Sequence, residues 1–457
     1  MRTVKNITEG NIYKNYFLYG LPLILSSIIS SLYSTTDAVI AGKFISEHAL
    51  GAISATASYE LLFFSFFNGV SRGFSVYIAQ LFGKGKFAEL KRGILNMGSF
   101  VAGIALLASL LSIAFRSPIL DYLNVDPLLR KDAETYFVIY TSSYLFSYVN
   151  LYLLSVLFAL GTTSFSLLVT VISATVNIAG NLLTVLVLDL GVAGLALSTV
   201  VSTVVVTGIY VWLISKAFRE LQCEPIRYRF SLRIVKESIA YTIPTAIQKI
   251  AFHATGILCA PAINGLGAAA TTAYSVMSKM YYFCAQSFWN MSSALDCHTA
   301  HAAGAGDVKK VRRGLSVGLW TNVAVLTPFV ILFIFLAEPI ALIFFPGGFS
   351  GAALDDAVRF FKIYALFLYI NMLGHLLHSY MRSIGRVLPV LWSTLFGSTT
   401  MVVTTLLLVP TLKIDGVYLG LVLSWIADAL LSLLFYFSCY HRKEKLQRVI
   451  DAIAKKK

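Results

Sequence analysis

Residues 135–188 contain no Asp, Glu, Lys or Arg over 54 consecutive positions. As one helix that run would measure about 81 Å at 1.5 Å per residue. The hydrocarbon core of a bilayer is only about 30 Å thick. The run must fold back on itself, and Gly161-Thr162-Thr163-Ser164 supplies the turn. The rest of the chain has the same character: 57% of its 457 residues are apolar and 13% are charged, where soluble domains carry about 25% charged residues. That deficit excludes a soluble enzyme, a disordered chain and a nucleic-acid binder. The sequence is that of a polytopic membrane protein.

Further charge-free windows lie at 94–115, 190–215, 314–337 and 387–412, each long enough for a helix to cross the membrane. Other spans begin near Tyr16, Ala49, Val235, Gly267, Ala357 and Gly416. With the two from 135–188, twelve are expected. The first apolar stretch has full span length, so it reads as a retained helix and not as a cleaved signal. Lys and Arg sort unequally over alternate loops, 26 on the side of both termini against 7 on the other, with Arg72, Lys249 and Lys279 inside spans. The positive-inside rule then places both termini in the cytoplasm of a multi-pass cell-membrane protein. The net charge of +14 fits contact with anionic membrane lipid and calls for no nucleic acid. Five scattered cysteines, mostly in apolar stretches, do not form a disulfide framework.

The chain repeats itself at an offset near 222. Pro22 matches Pro244. Gly83-Lys84-Gly85 with Lys91-Arg92-Gly93 matches Gly304-Ala305-Gly306 with Arg312-Arg313-Gly314, and Gly191-Val192 matches Gly416-Val417. Six spans per half make this a parallel repeat, whose interface is where transporters place a substrate. The expected organisation is an N-terminal six-helix lobe (1–217), a cytoplasmic linker (218–235), a C-terminal six-helix lobe (236–440) and a basic cytoplasmic tail (441–457).

The first-span segment from Pro22 through Tyr33-Ser34-Thr35-Thr36-Asp37-Ala38-Val39-Ile40-Ala41-Gly42 resembles the opening of bacterial MATE (multidrug and toxic compound extrusion) transporters. So do Gln80-Leu81-Phe82-Gly83-Lys84-Gly85, Ala302-Ala303-Gly304-Ala305-Gly306 and Gly191-Val192-Ala193-Gly194. The resemblance runs from about residue 8 to 440. It implies an all-α, two-lobed, twelve-helix antiporter that exports amphipathic organic compounds against an inward H⁺ or Na⁺ gradient by alternating access. No cofactor and no catalytic residue is expected, and a monomer is expected.

Acids within spans are Asp37, Glu60, Asp296 and Asp428, and charged groups there are functional candidates by default. The resemblance assigns cation coupling to Asp37. Physically, a carboxylate in low dielectric takes up a proton readily or ligates a hard cation. Asn177 and Asn181 share one face of the fifth span and join Asp37 as coupling candidates, where the family often has a second acid. The bland reading of this pair is hydrogen bonding between neighbouring spans. In the C-terminal half, where some family members carry a Glu and an Asp, this chain shows Phe252-His253 and Asn371. Substrate-cavity candidates there are Gln248, Lys249, His253, Lys279, Asp296, Asn371 and His375. The pairs His298/His301 and His375/His378 each share a helix face. Asp296-Cys297-His298 with His301 offers ligand types suited to zinc, but one-helix spacing does not make ligands converge, so no metal is expected. His301, in the repeat slot of Gln80, reads as a polar loop-end residue. Two rival functions remain, a lipid-linked precursor flippase of the same superfamily and a metal-dependent intramembrane enzyme; no HExxH, GxSxG or P-loop string supports an enzyme. With Asp37 committed to the coupling ion, Arg72, Lys249 and Lys279 within the spans face Glu60, Asp296 and Asp428, and in the seventh and eighth spans Lys249 and Lys279 face Asp296 alone. Zwitterionic, neutral or weakly anionic amphiphiles are therefore expected among the substrates, provided both lysines face the cavity.

Overall fold

The computed structural model describes residues 3–225, 227–344 and 351–455. Among these there is no strand. The helices in order are α1 (Ile12–Ile40), α2 (Glu47–Gly83), α3 (Phe87–Ala114), α4 (Arg116–Tyr122), α5 (Arg130–Ser142), α6 (Tyr144–Ala159), α7 (Ser164–Asn181), α8 (Gly191–Glu220) and α9 (Leu232–Asn264). They continue with α10 (Ala268–Gly304), α11 (Val308–Phe335), α12 (Ala337–Phe344), α13 (Gly351–Tyr364), α14 (Leu368–Ser383), α15 (Val387–Leu412), α16 (Ile414–Phe435) and α17 (Lys443–Lys455).

Ten helices among the described residues are long and apolar enough to cross a membrane, and an eleventh is the pair α5–α6, bent by 46°. The remaining long helix is α10, with 37 residues. Its Thr, Ser, Lys279, Gln286 and Asp296 side chains make it too polar to stand out by composition. Together these give the expected twelve-helix all-α architecture. The 135–188 run folds back where its sequence said: α6 ends at Ala159, α7 begins at Ser164, and Gly161 takes the left-handed conformation (φ 81°) that glycine alone adopts without cost. α7 continues through a π-helical turn at Leu182–Val187.

Two compact units divide the chain inside helices and not at the 218–235 linker. One contains residues 25–246, the other residues 6–24 and 247–457. The first half of α9 therefore belongs to the N-terminal unit, where it buries Val235, Ser238, Thr242 and Thr245. A side chain at Gly69 of α2 would run into the backbone of Ala246, and one at Gly73 into that of Tyr241. In the second unit the first half of α1 buries Ile12, Tyr16, Tyr19 and Leu23. There Tyr16 donates to the carbonyl of Gly314 at 3.1 Å, and Gly20 sits against Met291. Position 291 is position 69 plus the repeat offset. Each unit closes with the same helix crossing, and a glycine permits it on one or the other partner.

The tail is more structured than its basic composition suggests. α17 buries Leu446, Ile450 and Ile453, spaced along one helical stripe, and Ala454 lies against Gly306 in the turn after α10.

Candidate ion and substrate sites

In the N-terminal unit the three expected coupling residues meet. Asn177 and Asn181 on α7 are fully buried. Nδ2 of Asn181 donates to Oδ1 of Asp37 at 2.6 Å and to Oδ1 of Asn177 at 2.8 Å. Nδ2 of Asn177 donates to Oγ1 of Thr199 on α8 at 3.2 Å. Tyr33, one turn before Asp37 on α1, lies beside the same carboxylate. Hydrogen bonds to an ionised acceptor are about twice as strong as neutral ones, so this network holds Asp37 in one orientation. Oδ1 of Asn181 is buried and accepts no hydrogen bond among the described residues. Such an orphan acceptor costs about 1–3 kcal/mol and is a ready ligand for a hard cation.

Tyr33 also lines a cavity of about 610 Å³ within this unit, a volume suited to a drug-sized ligand. Its walls include Glu60 from α2, Tyr140 from α5, Tyr144 and Tyr148 from α6, and Tyr210 from α8. Among the described residues Glu60 is the only Asp, Glu, Lys, Arg or His lining it. Oγ1 of Thr56 donates to Oε1 of Glu60 at 3.1 Å, and Tyr140 lies beside the same carboxylate. The rings of Tyr144 and Tyr148 lie 5.0 Å apart, and Tyr148 stacks on Phe67 at 4.0 Å. The sequence reading gave Glu60 no partner and did not place the tyrosines. The signal was present: Tyr136, Tyr140, Tyr144, Tyr148 and Tyr152 recur every four residues, on one stripe of a helix.

The C-terminal unit has a cavity of its own, about 190 Å³. Five of the seven expected residues line it: Gln248, Lys249, His253, Asn371 and His375. Gln248 donates to Oγ1 of Thr394 at 3.0 Å, and Asn371 to the Tyr281 hydroxyl at 2.8 Å. The other two lie elsewhere. Lys279 is exposed, because α10 turns Met277 and Tyr281 to the cavity and the residue midway between them points away. Asp296 is held by Arg382, whose Nη2 lies 3.0 and 3.1 Å from its two oxygens, with the Ser383 hydroxyl at 3.2 Å. Arg382, counted above among loop cations, is 2% exposed on α14. A guanidinium this deep needs a carboxylate to offset its desolvation, and Asp296 is that partner.

His301 lies in the last turn of α10 and is buried, with Nε2 3.6 Å from Sγ of Cys297. His298 packs its ring against Tyr16 at 5.5 Å. Among the described residues no three His, Cys, Asp or Glu side chains converge as a metal site. Asp428, which also had no partner in the sequence, lines the C-terminal cavity beside His378. Its Oδ1 is 3.1 Å from His378 Nε2, within ion-pair reach though not aligned as a hydrogen bond.

The MatE family profile matches residues 22–183 and 244–407. The chain belongs to the MatE family. The starts of the two matched segments differ by the repeat offset, so the family unit occurs once in each half. MatE membership makes the chain a multi-pass membrane transporter and not an enzyme. A probable multidrug resistance protein of Bacillus subtilis, YoeA, is 23% identical, with 97% of each chain covered. The multidrug export protein MepA of Staphylococcus haemolyticus is 22% identical over 60% of this chain and 61% of its own. Among solved structures, an outward-facing multidrug resistance MATE family transporter superposes with a TM-score of 0.87 at 17% identity over the full length of both chains. A MOP superfamily transporter from Pyrococcus furiosus, described as having a binding pocket of reverse polarity, gives 0.85 at 16% identity over the full length of both. At these identities the structures establish the shared MatE fold.

Proposed function

We propose that the protein is a cation-coupled antiporter that exports amphipathic organic compounds across the cell membrane, with H⁺ or Na⁺ entering at Asp37. The observation that carries this reading is Tyr33, which lies one helical turn from Asp37, beside its carboxylate, and also forms part of the wall of the 610 Å³ cavity. When a cation neutralises Asp37, the carboxylate loses its hold on Tyr33 and Asn181, and the cavity wall is released. Loading of the ion and loading of the substrate thus compete through one side chain, which is the requirement for exchange by alternating access. The multidrug names of the relatives support a substrate range of organic compounds.

Glu60, alone among tyrosines, suits a lipophilic cation in this cavity, since aromatic faces attract cations by about 0.5–2 kcal/mol. The charge balance drawn over all spans thus resolves into two cavities. Lys249 lies in the C-terminal one, Lys279 in neither, and neither lysine offsets Glu60 at its own wall.

The test is counterflow in proteoliposomes with imposed Na⁺ or H⁺ gradients and a panel of cationic, zwitterionic and neutral compounds. Asp37→Asn is expected to fold and bind substrate but to lose gradient-driven export. Undiminished export by that variant under both gradients removes Asp37 from the mechanism. The termini are assigned to the cytoplasm by the Lys and Arg excess. Cys223, in the loop between α8 and α9, is then labelled by impermeant reagents from the cytoplasmic side alone.

A further inference from the structure

We propose that His378 and Asp428 form a second proton-binding site, within the C-terminal unit, so that each transport cycle is coupled to two cations and not to the one at Asp37. The inference rests on the cation-coupled reading above and extends it to a site that reading does not use. The pair joins two helices, His378 from α14 and Asp428 from α16, with Nε2 and Oδ1 3.1 Å apart. His378 is 5% exposed, and both residues line the 190 Å³ cavity, so water and protons reach the pair from there. The surrounding backbone is cut back to seat the acid. A Cβ at Gly374 would lie 2.7 Å from Oδ2 of Asp428, and one at Gly397 would lie 2.9 Å from its Cβ. Glycines from both α14 and α15 thus make room for this one carboxylate.

The chemistry is a single proton transfer. A proton from cavity water adds to Nε2 of the neutral imidazole, and the resulting imidazolium is held by the ionised Asp428. The protonated pair has no net charge, whereas the deprotonated pair leaves one carboxylate in low dielectric. The other titratable groups facing the cavity are Lys249 and His253 on α9, Tyr274, Tyr281 and Tyr282 on α10, and His375 on α14; α15 contributes none among the described residues. The Lys249 ammonium opposes a second positive charge at His378.

Coupling number is read from the substrate ratio at zero net flux. In Na⁺-free proteoliposomes held at zero membrane potential, a transporter coupled to two protons balances a tenfold proton gradient with about a hundredfold substrate ratio, one coupled to a single proton with about tenfold. With H⁺ as the ion at Asp37, the unsubstituted protein is expected to show the square dependence with a substrate that carries no net charge. Asp428→Asn and His378→Gln are each expected to show the first power while still binding substrate. A purely structural ion pair would change stability or rate and leave the exponent alone. A first-power dependence in the unsubstituted protein that Asp37→Asn abolishes overturns the proposal even if neither variant folds. So does an exponent of two that survives either substitution. If the unsubstituted protein responds to no gradient, the coupling reading itself fails. If Asp37→Asn uncouples a protein whose exponent is one, only the second site fails.

Discussion

Glu60 and Asp37 are both acids in the N-terminal unit, and their surroundings separate their roles. Asp37 accepts a hydrogen bond from Asn181, has Tyr33 beside it, and is not among the residues that line the cavity. Glu60 reaches the cavity itself, with Thr56 and Tyr140 steadying it. A bound ammonium there gains a charge-assisted contact, and such contacts are worth about 1.5–3 kcal/mol. Glu60→Gln is therefore expected to weaken binding of a lipophilic monocation by about tenfold or more, with a neutral isostere of the same shape scarcely affected. Equilibrium binding to the purified protein, by quenching of intrinsic fluorescence, distinguishes the two. Equal weakening of both ligands would show that Glu60 shapes the pocket without reading charge. The acid at 37 was legible because its motif has neighbours in sequence. Glu60 was not, because its partners come from α5, α6 and its own helix, and only folding brings them to one wall.

At the scale of elements, long apolar helices were easy to read and short or amphipathic ones were not. A span announces itself by lacking charge, as 135–188 does. α10 has to be inferred, since its polar residues face protein and not lipid. α17 was hidden for the opposite reason: its six Lys, Arg, Asp and Glu residues mask an apolar stripe of three. That stripe is buried, and each such side chain contributes about 1.5–3 kcal/mol relative to exposure. Ile450→Asp is expected to undock the helix. In inside-out vesicles, limited trypsin digestion then cleaves within Lys443–Lys455 far faster than in the parent, while the rest of the chain stays intact. Unchanged cleavage kinetics would mean that the docking does not protect the tail.

For the whole molecule, the internal repeat was visible in Pro22/Pro244 and the glycine-basic loops, yet the compact units do not coincide with the halves that the repeat defines. The linker invites a cut near residue 226, giving fragments that each contain six spans. The units place the cut differently. Residues 232–246 close the N-terminal unit over Gly69 and Gly73, and residues 12–24 close the C-terminal unit over Met291 and Gly314. A fragment ending at 225 lacks the helix that covers Gly69, and a fragment starting at 227 lacks the Tyr16 turn. Sequence matching cannot reveal this, because residues 22 and 244 align with each other whichever unit each one joins. Expressed alone, each fragment is expected to yield little monodisperse protein in detergent. Expressed together, they are expected to co-purify and recover most of the intact chain's substrate binding, since the only bond lost is in the linker. Good yield of either fragment alone, with a thermal midpoint matching that of the intact chain, would show that each half closes without its exchanged half-helix.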